Sequence, residues 1–153
     1  MKLTSSAFQD HGIIPSRYTC EGENINPPLE ISGVPPHTKS LVLLIDDPDV
    51  PKDRRPDGMW DHWVLFNIPP STHKINENNT PPGVAGNTTW GNTRYGGPCP
   101  PDREHRYFFK LYALDKMLTL HSGATKKEVE HAMEAHILAH AQLIGKYEKG
   151  KGY

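Results

Sequence analysis

Long apolar runs, an excess of charge of either sign, and cysteine are all scarce in this chain of 153 residues. No apolar run is long enough to cross a bilayer, and residues 1–5 lack the apolar core of a signal peptide. With 17 basic and 18 acidic residues, the formal net charge is −1. No global field therefore favours nucleic acid or an anionic membrane. We expect a cytoplasmic protein with no nucleic-acid partner and no stable membrane insertion.

The two cysteines are Cys20 and Cys99, and neither belongs to a C-x-x-C pair. A zinc site would need further ligands at defined spacing, so these residues do not indicate one. In a cytoplasmic protein such cysteines are more often free thiols than a disulfide. A contact between them stays open, and the sequence does not predict that it is oxidised.

Proline and glycine, in contrast, are abundant, with 15 and 13 residues that cluster between apolar runs. This is too many for a helical bundle, and the spacing predicts short strands joined by ordered loops. The clearest predicted strands are 40–45, 62–68 and 107–114, and 29–31 is a shorter candidate. A chain of this length is most simply one domain covering residues 1–153.

One helix is predicted, near the C-terminus. Thr125 and Glu128 have the spacing of a capping box. Apolar residues then recur at helical spacing, and Gly145 followed by Lys146 suits a helix end. The residues assigned to this apolar face are Val129, Ala132, Met133, Ile137, Ala141, Leu143 and Ile144. The patterns together predict a mostly β fold, a mainly antiparallel sheet with a C-terminal α-helix.

An acidic corner follows the strongest predicted strand. The segment Asp46-Asp47-Pro48-Asp49-Val50-Pro51 comes directly after the apolar run 41–45. Pro48 and Pro51 cannot donate to a strand ladder, so they end the strand and stiffen the corner. The carboxylates are then held at a strand end, where proteins commonly build sites on polar loops.

Two histidines, His62 and His105, begin predicted strands, and the glycine-rich loop 95–101 lies between them. We expect them to meet the acidic corner at one rim of the sheet. There the carboxylates would raise the pKa values of the imidazoles, and cationic rings would bind an anion. The loop glycines would let backbone N–H groups approach an anionic oxygen. Each part alone is more often structural, and only their joint placement indicates a site.

Four motifs in this order resemble the signatures of the phosphatidylethanolamine-binding proteins. The motifs are Asp47-Pro48-Asp49-Val50-Pro51, Trp60-Asp61-His62-Trp63, Tyr95-Gly96-Gly97-Pro98-Cys99-Pro100-Pro101 and His105-Arg106-Tyr107. The resemblance covers essentially the whole chain and is nearest to the bacterial and archaeal branch often called Raf kinase inhibitor-like.

This resemblance implies a β-sandwich of antiparallel sheets with a small pocket for phosphate or phosphorylated head groups. It implies a binding protein rather than an enzyme, and we expect no cofactor and no metal. The implied ligand-binding residues are Asp47, Pro48, Asp49, Pro51, Trp60, His62, Gly97, Pro100, His105 and Tyr107.

Other functions stay open at this point. An Asp/His-dependent hydrolase or lyase acting on a small phosphoester is the alternative, because a carboxylate-oriented imidazole is the usual general base. A divalent metal held by the same Asp and His side chains is a variant of this idea. His136 and His140 would be one turn apart on the predicted helix and could chelate a metal, although a solvated role is favoured.

Partner proteins are suggested by family analogy alone. Members of the family inhibit kinases or a protease, so a kinase or protease partner is an expectation here. A homodimer that covers exposed sheet edges would also suit a small sheet protein.

Overall fold

The computed structural model describes residues 1–151, and strands dominate this part of the chain. The strands are β1 (Lys2–Thr4), β2 (Gly12–Ile13), β3 (Leu29–Ser32), β4 (Ser40–Asp47), β5 (Trp60–Ile68), β6 (Lys74–Ile75), β7 (Val84–Ala85), β8 (His105–Leu114) and β9 (Ile137–Tyr147). A 3₁₀ turn covers Ser16–Tyr18, and the helix α1 covers Lys126–Met133. The predicted mostly β class is confirmed. No helix within residues 1–151 has the length and apolarity that a bilayer span requires.

The strands form two sheets. A six-stranded sheet has the order β2-β9-β8-β4-β5-β7, and a three-stranded sheet has the order β1-β3-β6. All pairings are antiparallel except that of β2 with β9, which is parallel. Apolar side chains from both sheets share one core, including Leu3 and Ile31 from the small sheet and Trp63 and Phe109 from the large one. The sandwich implied by the resemblance is therefore present.

Strand β4 is buried along its whole length because apolar groups cover both of its faces. Leu41, Leu43 and Ile45 point into the core between the sheets. Val42 and Leu44 point the other way, into a second core beneath α1. A strand covered on both sides has no need of polar alternation, which explains its unbroken apolar run. The same alternation decides where the carboxylates that follow will point.

The predicted helix begins where expected but is much shorter. The Thr125 hydroxyl accepts a hydrogen bond from the Glu128 backbone N–H, and the Glu128 carboxylate accepts one from the Thr125 N–H, so the capping box is confirmed. The helix ends at Met133, and Ala135 then has a φ of 64°. The chain continues as β9, so the prediction that the helix runs on to residue 144 is wrong.

The segment 137–147 is a strand because it pairs with β8 along its length. Its odd-numbered residues Ala139, Ala141 and Leu143 pack on the core between the sheets. Alanines at these positions suit either a helical or an alternating pattern, so the sequence alone favoured the wrong period. His136 precedes β9 and His140 lies within it. These two histidines therefore do not share a helix face, and the chelating spacing considered for them does not exist.

Candidate anion-binding site

A cavity of about 280 Å³ opens where β4 ends and where β5 and β8 begin. These strand ends meet because β4 runs antiparallel to both neighbours, with Asp47 opposite Trp60 and Asp46 opposite Phe108. The loop that carries Cys99 closes the remaining side. The cavity is lined by Asp47, Val50, Arg54, Trp60, His62, Trp90, Cys99, Pro100, Pro101, His105, Tyr107 and Lys149.

The residues predicted for the site fall into two groups. Those that line the cavity are Asp47, Trp60, His62, Pro100, His105 and Tyr107. Those that do not line it are Pro48, Asp49, Pro51 and Gly97. That any of them binds a ligand stays a prediction.

The adjacent carboxylates of Asp46 and Asp47 point to opposite faces of β4. Asp47 is 3% exposed and lines the cavity. Asp46 is fully buried, and its Oδ2 accepts hydrogen bonds from Lys110 Nζ at 2.9 Å and Lys126 Nζ at 3.0 Å. Lys126 belongs to α1, so Asp46 ties the helix to the sheet. Only Asp47 therefore serves the cavity.

Asp49 holds the corner in place. Its two carboxylate oxygens accept hydrogen bonds from the Arg106 guanidinium at 2.8 and 2.9 Å, and Oδ2 also accepts one from the Arg106 backbone N–H. This bidentate pairing lowers the pKa of Asp49. Asp49 thus fixes the corner against the start of β8 and does not face the cavity.

Gly97 has a packing role. Its backbone N–H donates to Asn24 Oδ1 at 2.7 Å, and a Cβ atom at this position would overlap the Tyr18 carbonyl oxygen. The N–H of Gly96 donates to the His62 carbonyl oxygen. Both groups are therefore already paired. The expectation that these loop N–H groups approach an anion stays a prediction, and their existing hydrogen bonds do not support it.

His105 lies between two carboxylates. Its Nδ1 is 2.6 Å from Asp47 Oδ2, and its Nε2 is 2.7 Å from Asp102 Oδ1. A neutral imidazole carries one N–H, so these two contacts need two hydrogens shared among the three groups. Neither ring nitrogen remains free for a ligand. His105 is thus held against Asp47, and its contact with an anion stays a prediction that these two hydrogen bonds do not support.

The two carboxyl groups that contact His105 have pKa values shifted in opposite directions, because Asp47 is buried and Asp102 is exposed. Burial raises the pKa of Asp47, and the hydrogen bond from His105 offsets this rise only partly. Asp102 is exposed, and the hydrogen bond with His105 lowers its pKa. Sequence reasoning missed Asp102, because an acidic residue in a proline-rich loop has no pattern that indicates a histidine partner.

His62 is a neutral ring in this environment. It is 4% exposed, and its Nδ1 is 2.7 Å from the Gly96 carbonyl oxygen. A carbonyl oxygen can only accept, so Nδ1 carries the hydrogen. Burial lowers the pKa of His62 to about 4, against the opposing influence of the Gly96 carbonyl and of Asp46. The prediction of a raised pKa and a cationic ring is therefore wrong for His62.

Two buried donors in the cavity wall lack partners. The Tyr107 hydroxyl and the Trp60 indole Nε1 make no hydrogen bond with any of residues 1–151. Burial raises the pKa of Tyr107, so the phenol keeps its hydrogen. The backbone of Cys99 opposes this rise in pKa, as an N–H group that donates towards the phenol oxygen would. A donor of this kind does not accept the hydroxyl hydrogen of Tyr107, which still has no acceptor.

The cavity mouth carries positive charge and an exposed aromatic ring that the sequence did not single out. Arg54 and Lys149 belong to the lining, and both residues are exposed. Trp90 is 45% exposed and packs edge-on against Trp60 and His62, at ring-centroid distances of 5.4 and 5.1 Å. These residues lie far apart in the sequence, so only the fold identifies them as neighbours.

A disulfide between Cys20 and Cys99 ties the cavity loop to the N-terminal part of the chain. The contact that the sequence left open is therefore present, and it is a covalent bond. The Cys20 N–H also donates to the Pro98 carbonyl oxygen, and the Tyr95 hydroxyl donates to the Tyr18 carbonyl oxygen. The bond and these contacts hold the loop wall against the segment around the 3₁₀ turn.

Comparisons with known proteins agree with this architecture. The family described as phosphatidylethanolamine-binding protein matches residues 4–148. A UPF0098 protein of Methanothermobacter thermautotrophicus is 52% identical over 98% of this chain and 100% of its own length. A UPF0098 protein of Chlamydia trachomatis is 47% identical over 97% of this chain and 99% of its own length.

Solved structures show the same relationship. The putative phosphatidylethanolamine-binding protein homologue CT736 of Chlamydia trachomatis has a TM-score of 0.94, with 47% identity and 97% of each chain covered. YbcL of Escherichia coli, described as a new member of the mammalian family, has a TM-score of 0.86, with 30% identity over 96% of this chain and 97% of its own. The chain therefore belongs to the phosphatidylethanolamine-binding protein family.

Proposed function

We propose that this protein is a non-enzymatic binding protein whose cavity receives a small anion, either phosphate or a phosphorylated head group. The observation that carries the proposal is the Tyr107 hydroxyl, which is 1% exposed and has no acceptor within residues 1–151. A buried donor without a partner costs about 1–3 kcal/mol. A ligand oxygen placed near Tyr107 would recover this energy, and the Trp60 indole N–H offers a second donor.

The size and charge of the cavity support the same ligand class. At about 280 Å³, its volume is just below the usual range for ligand sites, which suits a head group rather than a whole lipid. Arg54 and Lys149 at the mouth would attract an anion from solvent. The name of the family describes binding of a phosphorylated head group, which agrees with these features.

The lining argues against a serine, threonine or cysteine nucleophile. Cys99 is in a disulfide, and no serine, threonine or free thiol lines the cavity among the described residues. The alternative, an Asp/His-dependent hydrolase or lyase of a small phosphoester, draws on the contacts of His105 with Asp47 and Asp102. Both nitrogens of His105 are occupied by those contacts, so the ring is poorly placed to exchange a proton with a substrate.

A protein partner fits the same proposal only if it presents a phosphorylated side chain to the cavity. The expectation of a kinase or protease partner rests on the resemblance to the family. The expectation of a homodimer rests on the need to cover exposed sheet edges. Both stay predictions.

Calorimetric titration with inorganic phosphate tests the proposed function. We expect saturable binding at pH 6, weakened about tenfold by Tyr107→Phe because one charge-assisted hydrogen bond is lost. Tyr112→Phe is the matched control, since Tyr112 faces away from the cavity and contacts His140. Equal affinities of wild type and Tyr107→Phe would refute the role of this hydroxyl, and turnover of p-nitrophenyl phosphate would favour the hydrolase.

A further inference from the structure

The cavity presents a hydrogen-bond acceptor next to its donors. Because His62 Nδ1 donates to the Gly96 carbonyl oxygen, the neutral ring has its lone pair on Nε2. Nε2 has no hydrogen-bond partner within residues 1–151, and His62 lines the cavity. The Asp47 carboxylate, also in the lining, adds further lone pairs. A ligand therefore meets these acceptors close to the Tyr107 hydroxyl, whose ring centroid is 5.3 Å from that of His62.

None of the groups packed around His62 donates a hydrogen bond to its Nε2 atom within residues 1–151. Strand β4 contributes Asp46 and Asp47, and β8 contributes Tyr107 and the already bonded His105. Lys126 from α1 is paired with Asp46 and Asp61, and Trp90 covers the ring edge-on. The backbone of Gly96 and Gly97 favours a protonated ring, while Arg54 and Lys149 lie in the outer lining.

We infer that the cavity selects a monoanion that carries its own exchangeable hydrogen, such as dihydrogen phosphate or a phosphomonoester monoanion, over sulfate. This inference rests on the proposed function. The ligand O–H donates to His62 Nε2, or its proton moves to that nitrogen, while the other ligand oxygens accept from Tyr107. The proton and the charge stay within the complex in either case. When the ligand is a dianion in solution, as phosphate is at pH 8, one proton is taken up from the solvent on binding, because the Asp47 carboxylate in the lining disfavours the second negative charge.

Sulfate is the sharpest comparison because it has the same tetrahedral shape as phosphate but no hydrogen near neutral pH. Its oxygens would place lone pairs against the lone pair of Nε2 and near the Asp47 carboxylate. An unpaired buried acceptor costs about 1–3 kcal/mol, which corresponds to roughly 5- to 150-fold in affinity. A site that offered only donors would not make this distinction.

The test is calorimetric titration of the wild-type protein with phosphate and with sulfate from pH 6 to pH 8, at constant ionic strength. At pH 6 we expect phosphate to bind at least about tenfold more tightly than sulfate. Phosphate affinity should fall towards pH 8, where the form with two hydrogens becomes scarce. Buffers of different ionisation enthalpy should reveal proton uptake at pH 8.

The outcomes separate this inference from the proposed function. Equal affinities for phosphate and sulfate, or tighter phosphate binding at pH 8, would overturn the selectivity while leaving anion binding intact. An absence of phosphate binding at every pH would instead overturn the proposed function and this inference with it.

His62→Gln provides a second test, because the glutamine amide can donate where Nε2 only accepts. We expect the preference for phosphate over sulfate to shrink several-fold, and His140→Gln, an exposed position on β9, to keep it. If His62→Gln does not fold, ¹⁵N spectra of the wild-type histidines decide. Phosphate should move the Nε2 resonance of His62 towards the protonated range, and an unchanged resonance in the phosphate complex would contradict the inference.

Discussion

Tyr107 and His62 lie side by side in the cavity, with ring centroids 5.3 Å apart. Burial favours the uncharged form of both side chains, so it raises the pKa of Tyr107 and lowers that of His62 to about 4. The result is one neutral donor beside one neutral acceptor. At the scale of single residues, the cavity is thus polar but carries little positive charge of its own.

The Tyr107 hydroxyl should stabilise binding at the expense of folding. Tyr107→Phe removes a buried group without a hydrogen-bond acceptor, so we expect the free energy of unfolding of the ligand-free protein to rise by about 1 kcal/mol. Urea denaturation measures this change, with Tyr112→Phe as the control. A loss of stability in Tyr107→Phe would mean that the hydroxyl has a partner in the folded protein.

His62 should make the protein sensitive to acid. Its folded pKa of about 4 lies below the ordinary value of 6.5, so the unfolded state binds a proton first as pH falls. Stability contributed by the neutral ring is full above about pH 6.5 and declines towards pH 4, by about 3 kcal/mol in total. Denaturation curves across this pH range should show the decline in wild type and a smaller one in His62→Gln. Equal declines in the two proteins would contradict this assignment.

The site could be predicted only in part from the sequence, because its composition depends on packing. The resemblance identified Asp47, His62 and Tyr107, and the structure brings them to one cavity. The protonation of His62 and the carboxylate of Asp102 on His105 depend on burial and on loop geometry. No sequence pattern indicates either the protonation state of His62 or the contact between Asp102 and His105.

At the scale of elements, strand β4 was predictable and strand β9 was not. An apolar run ended by prolines has few alternatives to a buried strand, and its alternation then sends Asp46 and Asp47 to opposite faces. The segment after α1 is different, because its alanines fit both a helical and an alternating pattern. Pairing with the distant strand β8 determines that this segment is a strand. The capping box located the helix start, whereas the helix end at Met133 has no comparable signal.

The turn between α1 and β9 offers a test of this element boundary. Ala135 has a φ of 64°, a left-handed conformation that costs a residue with a Cβ atom about 1–2 kcal/mol. Ala135→Gly should therefore raise the free energy of unfolding by about 1 kcal/mol, as expected after a helix C-terminus. Ala132→Gly, inside the helix, should lower it by a similar amount. If Ala135→Gly also destabilises the protein, the helix extends past this residue.

At the scale of the whole molecule, the Cys20–Cys99 disulfide joins segments 79 residues apart and forms part of the cavity wall. Disulfides persist mainly in oxidising compartments, apart from some hyperthermophiles. The expectation of a cytoplasmic location is therefore still a prediction, and this bond counts against it for an ordinary mesophile.

Removing this bond should affect both stability and binding. The double variant Cys20→Ser/Cys99→Ser should lose about 2–4 kcal/mol of unfolding free energy, because the unfolded chain gains freedom. Phosphate affinity should also fall, since the Pro100 side of the cavity is no longer anchored. Denaturation and titration of oxidised, reduced and variant proteins check both effects. An unchanged phosphate affinity would show that the wall keeps its shape without the bond.

The most direct measurement is a phosphate titration of ¹⁵N-labelled wild-type protein at pH 6 and pH 8. We expect saturable shifts of the Trp60 indole, His62 and Tyr107 signals, with the tighter binding at pH 6. Shifts confined to residues outside the cavity, or tighter binding at pH 8, would contradict it.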